Sequence, residues 1–250
     1  RRIDVGAGKI LVLDINMQEE NRSLDEVVVK AKSQIQIVKE TPFNVVALDA
    51  KSFYNTTLDL GQLLDKISGI KIRETGGVGS NLNITLNGFT GNNVKVFMDG
   101  VPMQGFGSAF QLNNIPVGLA DRIEVYKGVV PIEFGSDAMG GVINIVTNQS
   151  RNSYLDFSTS YGSFNTHKTN LNLGYTAKSG FTVQVNAYQN SSDNDYKVKT
   201  EVKNLQTGVT PLGEYHWVKR FNDAYHNEAI VGKIGFVNTT WADRFLVGAT

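Results

Sequence analysis

ITLNGFTGNNVKVFMDGVPM at residues 84–103, followed by QLNNIPVGLADRIEVYKGVVPIEFGSDAMGGVINIVT at residues 111–147, reads as a run of short strands joined by glycine turns. Val94–Met98 is apolar and stops at Asp99-Gly100, a pair suited to the positive-φ turns of hairpins. Pro102 fits a chain that has just left a strand. Residues 123–126 form another strand, closed by Lys127-Gly128, and Gly140-Gly141 opens the apolar run 142–146. A strand apolar on both faces needs cover on both faces. The pattern predicts a small glycine-rich domain with little helix, enclosed by something larger.

The 250 residues carry 24 basic and 24 acidic side chains and no cysteine. Formal neutrality gives no reason to expect nucleic acid as a partner, and the lack of cysteine removes disulfide frameworks and thiol chemistry. No apolar run is long enough for a transmembrane helix. Arg1-Arg2-Ile3-Asp4 is not followed by the apolar stretch of a signal peptide, and the last residues sit in mid-strand pattern. The chain is therefore expected to be a segment of a longer mature protein.

Residues 10–17 alternate, with Leu11, Leu13, Ile15 and Met17 on one side, as in a half-buried strand. Leu24, Asp25, Glu26, Val27, Val28 and Val29 follow a polar run and read, on composition alone, as one more short strand. Residues 58–67 form the one clear helix: Leu60, Leu63, Leu64 and Ile67 share a face, Asp59 and Gln62 resemble a capping box, and Gly69 is a natural stop. Residues 74–82 and 104–111 are loops of glycine and small polar residues. A phosphate cradle at Gly76-Gly77-Val78-Gly79 fails because no helix pattern follows, which leaves flexible turns.

Beyond Arg151 the pattern changes. Leu155, Phe157, Thr159 and Tyr161 alternate with polar residues, as do Leu171, Leu173, Tyr175 and Ala177, and Phe181, Val183, Val185 and Ala187. Such segments of roughly 9–11 residues have the span of tilted transmembrane strands, one face apolar and one polar. The polar faces carry few charges, unlike those of a soluble sandwich. Lys178-Ser179-Gly180 and residues 238–243 are short turns, whereas residues 190–224 form a long polar stretch. The roughly 100 residues after 150 have room for about five such strands.

Chemistry is sparse. No nucleophile elbow occurs, the Gly-Lys pairs lack the rest of a P-loop, and His167, His216 and His226 are scattered without metal-ligand spacing. Asp193-Asn194-Asp195 hints at calcium but lacks the later glycine and glutamate of an EF-hand. Glu124 and Lys127 read as an internal charge pair, since buried charges need partners. Tyr215, His216, Trp217, Lys219 and Arg220 form an aromatic–basic cluster. It reads either as a ligand lip or as an aromatic girdle at a membrane edge with solvated charges.

The order of blocks resembles the plug of TonB-dependent outer-membrane receptors. The matching residues are Asn87-Gly88-Phe89, Asp99-Gly100-Val101-Pro102, Ile115-Pro116, Arg122-Ile123-Glu124-Val125, Lys127-Gly128, Phe134-Gly135-Ser136-Asp137-Ala138 and Gly140-Gly141-Val142-Ile143-Asn144-Ile145. Asn87 and Phe134 depart from the commoner Arg and Tyr. The resemblance implies a mostly β chain, a small α+β plug domain followed by the first strands of a transmembrane antiparallel β-barrel of roughly 22 strands. Residues 1–20 become the tail of a small N-terminal β-domain of the kind carried by Bacteroidetes-like receptors, 21–40 a linker, 41–150 the plug, and 151–250 the incomplete barrel.

The same resemblance makes Leu24, Asp25, Glu26, Val27, Val28 and Val29 a TonB box, captured by strand addition. It places Gly77, Val78, Gly79, Ser80, Asn81, Gln104, Phe106, Ser108 and Phe110 at a ligand-facing apex, with Tyr215, His216, Trp217 and Arg220 on an extracellular loop. The implied function is import of a scarce solute across the outer membrane of a Gram-negative bacterium, with a ferric siderophore or other metal chelate ahead of cobalamin or oligosaccharide. A passive porin or an adhesin is the alternative, and an enzyme is not expected. The implied partners are TonB with its inner-membrane energising complex, the solute, outer-membrane lipid and, optionally, a surface lipoprotein, with no nucleic acid, cofactor or metal site. Short turns belong on the periplasmic side and long loops outside. Protease added to intact cells is therefore expected to cut within residues 190–224, and protection of that stretch would overturn this topology.

Overall fold

The computed structural model describes residues 8, 33–54, 56–104, 110–135, 137–148, 153–204 and 206–250. The strand expected at 10–17, the segment Leu24 to Val29, Phe106, Ser108 and Ser136 lie outside the described residues. Ser33–Thr250 forms one unit.

The plug is built on a five-stranded sheet. β1 (Val45–Asp49), β5 (Val94–Met98), β6 (Val101–Pro102), β7 (Ala120–Lys127) and β8 (Gly141–Thr147) lie in the order β1-β7-β8-β5-β6. β8 runs parallel to β5 and antiparallel to β7. Every residue of β8 is buried, as its doubly apolar pattern requires. Gly141 lies at positive φ, where a Cβ would collide with the Tyr126 carbonyl oxygen, so the start of this strand admits only glycine. Pro102 sits on the edge strand, where its missing N–H costs nothing. A second sheet packs β2 (Ile70–Glu74), β3 (Leu82–Leu86) and β4 (Phe89–Thr90) around the Asn87-Gly88 turn.

Two helices complete the plug. α2 (Leu60–Leu64) is shorter than the periodicity predicts, but its capping box is present, with Asp59 accepting from the Gln62 N–H at 2.9 Å and Gln62 accepting from the Asp59 N–H. Past Leu64 the chain tightens into three-residue turns that keep Ile67 in the core. Leu60, Leu63 and Leu64 are fully buried, each contributing about 1.5–3 kcal/mol by leaving water. α1 (Gln34–Lys39), within the stretch read as a linker, buries none of its residues. Its six residues are too few for a helical period to show.

Glu124 does not pair with Lys127, contrary to expectation. Arg122, Glu124 and Tyr126 share one face of β7, and Asn144 of β8 lies directly opposite Glu124. Glu124 is only 4 % exposed. It takes Arg122 Nε at 2.7 Å, the Tyr126 hydroxyl at 3.2 Å and Asn144 Nδ2 at 3.1 Å. Lys127, one residue out of phase, donates instead to the Ser68 carbonyl.

The wall that follows is a sheet in the order β15-β14-β11-β10-β9, from β9 (Tyr154–Gly162), β10 (Thr166–Thr176), β11 (Phe181–Ser192), β14 (Tyr225–Val237) and β15 (Arg244–Ala249). Between β11 and β14 the stretch read as a long loop is a two-stranded ribbon, β12 (Lys197–Glu201) with β13 (Tyr215–Lys219). The wall is inside out. Leu155, Phe157, Tyr175, Ile230, Ile234 and Phe245 are exposed, while Asn172, Thr182, Gln184, Asn186, Asn190 and Asn227 are buried. Polar side chains inside and apolar ones outside are the arrangement of a barrel wall around a polar interior. Phe181, Phe236, Trp241 and Phe245 contact one another in turn, edge-on or tilted, 5.7–5.9 Å between centroids, at the end carrying the two short turns. Among the described residues no helix is long and apolar enough to cross a membrane.

Replacing Glu124 by Ala would leave the Arg122 guanidinium buried without its carboxylate, at a cost of about 3–5 kcal/mol. In the full protein carrying Glu124→Ala, residues 120–147 should become open to protease at lower urea than in its parent. An unchanged urea midpoint would contradict the assigned network.

Candidate functional site: the seam between plug apex and wall

The loop between β2 and β3 closes on itself through Thr75 N–H to Asn81 O at 3.1 Å and Ser80 N–H to Gly77 O at 3.0 Å. It is not a loose glycine turn. Asn194, at positive φ just past β11, reaches it with both ends of its amide. Its Oδ1 accepts from the Val78 N–H at 3.1 Å, while Nδ2 donates to Val78 O at 2.9 Å and Asp223 O at 3.0 Å. The side chain thus stands in for a paired strand. A Cβ on Gly77 would collide with Asn194, and one on Gly79 with the Tyr225 ring. The glycines let wall side chains approach the loop backbone.

The same chemistry recurs below the loop. Asn113 Nδ2 donates to Ser80 O at 2.9 Å, Asn114 Nδ2 to the Tyr225 hydroxyl at 2.8 Å, and Asn190 Nδ2 to Asn114 O at 2.7 Å. Ser80 Oγ, Gln111 Oε1 and Asn113 Oδ1 are buried there without a hydrogen-bond partner. Lys168 of β10 meets Asp59, the cap of α2, at 3.4 Å. Burial lifts the Asp59 carboxyl above its ordinary range, and the Lys168 ammonium pulls it part of the way back. Tyr188, on the polar face of β11, is 4 % exposed and joins the plug's apolar core, with its ring edge-on to Phe110 at 6.3 Å.

The residues expected at the apex thus divide. Gly77, Val78, Gly79 and Ser80 are gathered in the seam, Phe110 packs on Tyr188, and Asn81 and Gln104 stay exposed. The aromatic–basic cluster also divides, because Tyr215, His216 and Trp217 lie in strand β13 and alternate across it. Tyr215 and Trp217 share one face at 56 % and 69 % exposure, with Lys199 opposite Trp217. Arg220 turns the other way. It pairs with Asp223, donates to the Tyr196 hydroxyl at 2.8 Å and lies 5.3 Å from that ring's centroid. Asp195 is engaged by Lys219 at 2.5 Å, which spends one of the carboxylates that suggested calcium. Asn113, Asn114, Asn190 and Tyr225 were not singled out from sequence, and Asn194 was named only within the Asp193-Asn194-Asp195 run. The available signal was amide side chains repeating on the polar face of strands that otherwise carry apolar residues.

With this geometry in hand, comparison with known proteins is informative. Residues 37–142 match the family described as TonB-dependent Receptor Plug Domain. The chain is 32% identical over 136 residues to the vitamin B12 transporter BtuB of Vibrio vulnificus, covering 54% of this chain and 22% of that protein. Among solved structures it resembles the ferric enterobactin receptor PfeA of Pseudomonas aeruginosa, with a TM-score of 0.57, 19% identity, and 84% of this chain and 33% of that one covered. It also resembles the copper transporter OprC, with a TM-score of 0.57, 18% identity, and coverage of 78% and 28%. The chain therefore spans about a fifth to a third of the length of these relatives.

Asn194→Ala would strip the Val78 N–H and C=O of their partners, weakening the seat of the loop by about 1–3 kcal/mol. Hydrogen exchange at the Val78 amide in the full receptor should quicken by roughly one to two orders of magnitude. Exchange at the parent rate would show that Asn194 does not hold the loop. Residues 37–142 thus match a TonB-dependent receptor plug domain, and the strands after them share the fold of the early barrel strands of such receptors.

Proposed function

We propose that the full protein is an outer-membrane receptor that imports a scarce solute by TonB-dependent active transport. The observation that carries this reading is the seated plug: a buried sheet held against the polar face of a wall whose other face is apolar. A plug filling a lumen blocks passive flow, so passage needs work done on it. Leu24 to Val29 is the segment on which that work is exerted. Its β-branched run suits capture by strand addition, in which backbone hydrogen bonds supply the affinity. Solute meets the receptor at the exposed apex residues Asn81 and Gln104 and at the ribbon bearing Tyr215 and Trp217.

The cargo is a ferric siderophore or other metal chelate. The exposed pairing of Trp217 with Lys199 supports this, since an aromatic face and a cation suit a ring-bearing anion. Cobalamin is the second reading, favoured by the 32% identity to a vitamin B12 transporter. Abundance of the receptor in outer membranes should rise on iron starvation. A level that instead answers only to corrinoids would move the assignment to cobalamin.

Val28→Pro should abolish uptake while leaving solute binding intact, because proline removes a ladder donor. Collapse of the proton gradient should do the same to the parent. Uptake that survives both would make the protein a passive channel.

A further inference from the structure

Two strands alone have no core of their own, so the stance of the β12–β13 ribbon must be set where it joins the wall. β12 begins directly after Tyr196 and β13 ends directly before Arg220. These two residues are the ribbon's feet. The Arg220 N–H donates to Tyr196 O at 3.0 Å, and Arg220 Nη1 donates to the Tyr196 hydroxyl at 2.8 Å. Arg220 also pairs with Asp223, whose carbonyl oxygen accepts from Asn194 Nδ2.

Both feet rest on the loop between β2 and β3. A Cβ on Gly76 would lie 3.3 Å from the Tyr196 hydroxyl and 3.5 Å from Arg220 Nη1, and one on Gly77 would lie 3.1 Å from the edge of the Tyr196 ring. Neither glycine has a positive φ, so the backbone of the loop would admit a side chain at either position. What excludes one is the ribbon standing there. Phe164, in the turn between β9 and β10, stands edge-on to the same ring at 5.7 Å. It sits at φ 58, an uncommon conformation for an aromatic residue, which persists only where its surroundings fix it. Its carbonyl is fixed by the Asp193 N–H at 2.9 Å and Ser192 Oγ at 3.2 Å. The Tyr196 side chain therefore meets the loop, the second foot of the ribbon and the neighbouring turn at once.

We propose that Tyr196 is a positioning residue that fixes the stance of the ribbon on this loop, so that Asn81 on the loop and Tyr215 and Trp217 on the ribbon are held at a set spacing for a solute. The proposal deepens the transport reading, on which the part played by solute rests. Bulk added at Gly76 should move the ribbon, and only while Tyr196 is present to be pushed.

The test measures distances between spin labels at Lys203→Cys, just past β12, and Thr159→Cys on β9, in the full protein made free of other cysteines. The parent should give one narrow distribution. Tyr196→Ala should broaden it, whereas Tyr196→Phe, which retains the ring, should keep the width of the parent. Gly76→Leu should shift the distribution in the parent and add nothing in Tyr196→Ala, since the two changes act on one contact. Hydrogen exchange at the paired amides of β12 and β13 should stay at the parent rate, with the ribbon itself still folded. A broad parent distribution, one unmoved by Tyr196→Ala, an equal Gly76→Leu shift in both backgrounds, or loss of the ribbon's own pairing would each overturn the proposal. Neither readout needs TonB or a solute. Distances that behave as expected in a protein that imports nothing would sink the transport reading alone. Distances that do not, beside normal energised import, would sink the positioning role alone.

Discussion

The inner face of the wall must be polar enough to satisfy the backbone of the domain it encloses, because the ends of the plug's strands and helices carry N–H and C=O groups that its own sheets cannot pair. Side-chain amides meet that demand with both donor and acceptor on one short arm. Asn194 uses both toward Val78, while Asn190 caps the Asn114 carbonyl. Carboxylates or lysines in these places would need counter-charges in a confined space. The near absence of charge from the polar faces of β10 and β11 follows from that constraint.

Charge is used where it ties rather than tiles. Glu124 collects Arg122, Tyr126 and Asn144 inside the plug sheet, and Asn144 passes the connection to Gly100. The neighbouring Asp99 then faces Lys233 on the wall. One chain of polar contacts therefore runs from the buried middle of the plug to the barrel, through a hairpin turn whose Asp-Gly pair adopts positive φ at both positions. The motif that marks the turn in the sequence also marks the contact.

Much of this was legible beforehand. Lys127-Gly128 and Gly140-Gly141 marked the end of β7 and the start of β8, the Asp59 and Gln62 box opened α2, and apolar alternation marked three of the wall strands, β9, β10 and β11. What escaped was long-range. Glu124 has partners at 122, 126 and 144, and nothing local separates these from Lys127 except strand parity. Asn194 bonds across 116 positions of sequence, and its local setting between two aspartates says nothing of that partner. Tyr215 and Arg220 sit close in sequence yet on different faces of a ribbon, and that ribbon was read as loop because its strands alternate charged with mixed residues. Spacing reports faces within an element; it is silent on which distant backbone a side chain will cap.

Tyr188 has a consequence for the order of assembly. It belongs to the wall, yet it fills the apolar core of the plug. The plug is synthesised first, but its core lacks this ring until β11 has been made and has come round to meet it. Such sequence-distant closure is slow, so the nascent plug spends that interval with an open apolar socket near Phe110. Whatever keeps the unfolded chain from associating has that socket to protect as well as the apolar outer face of the strands.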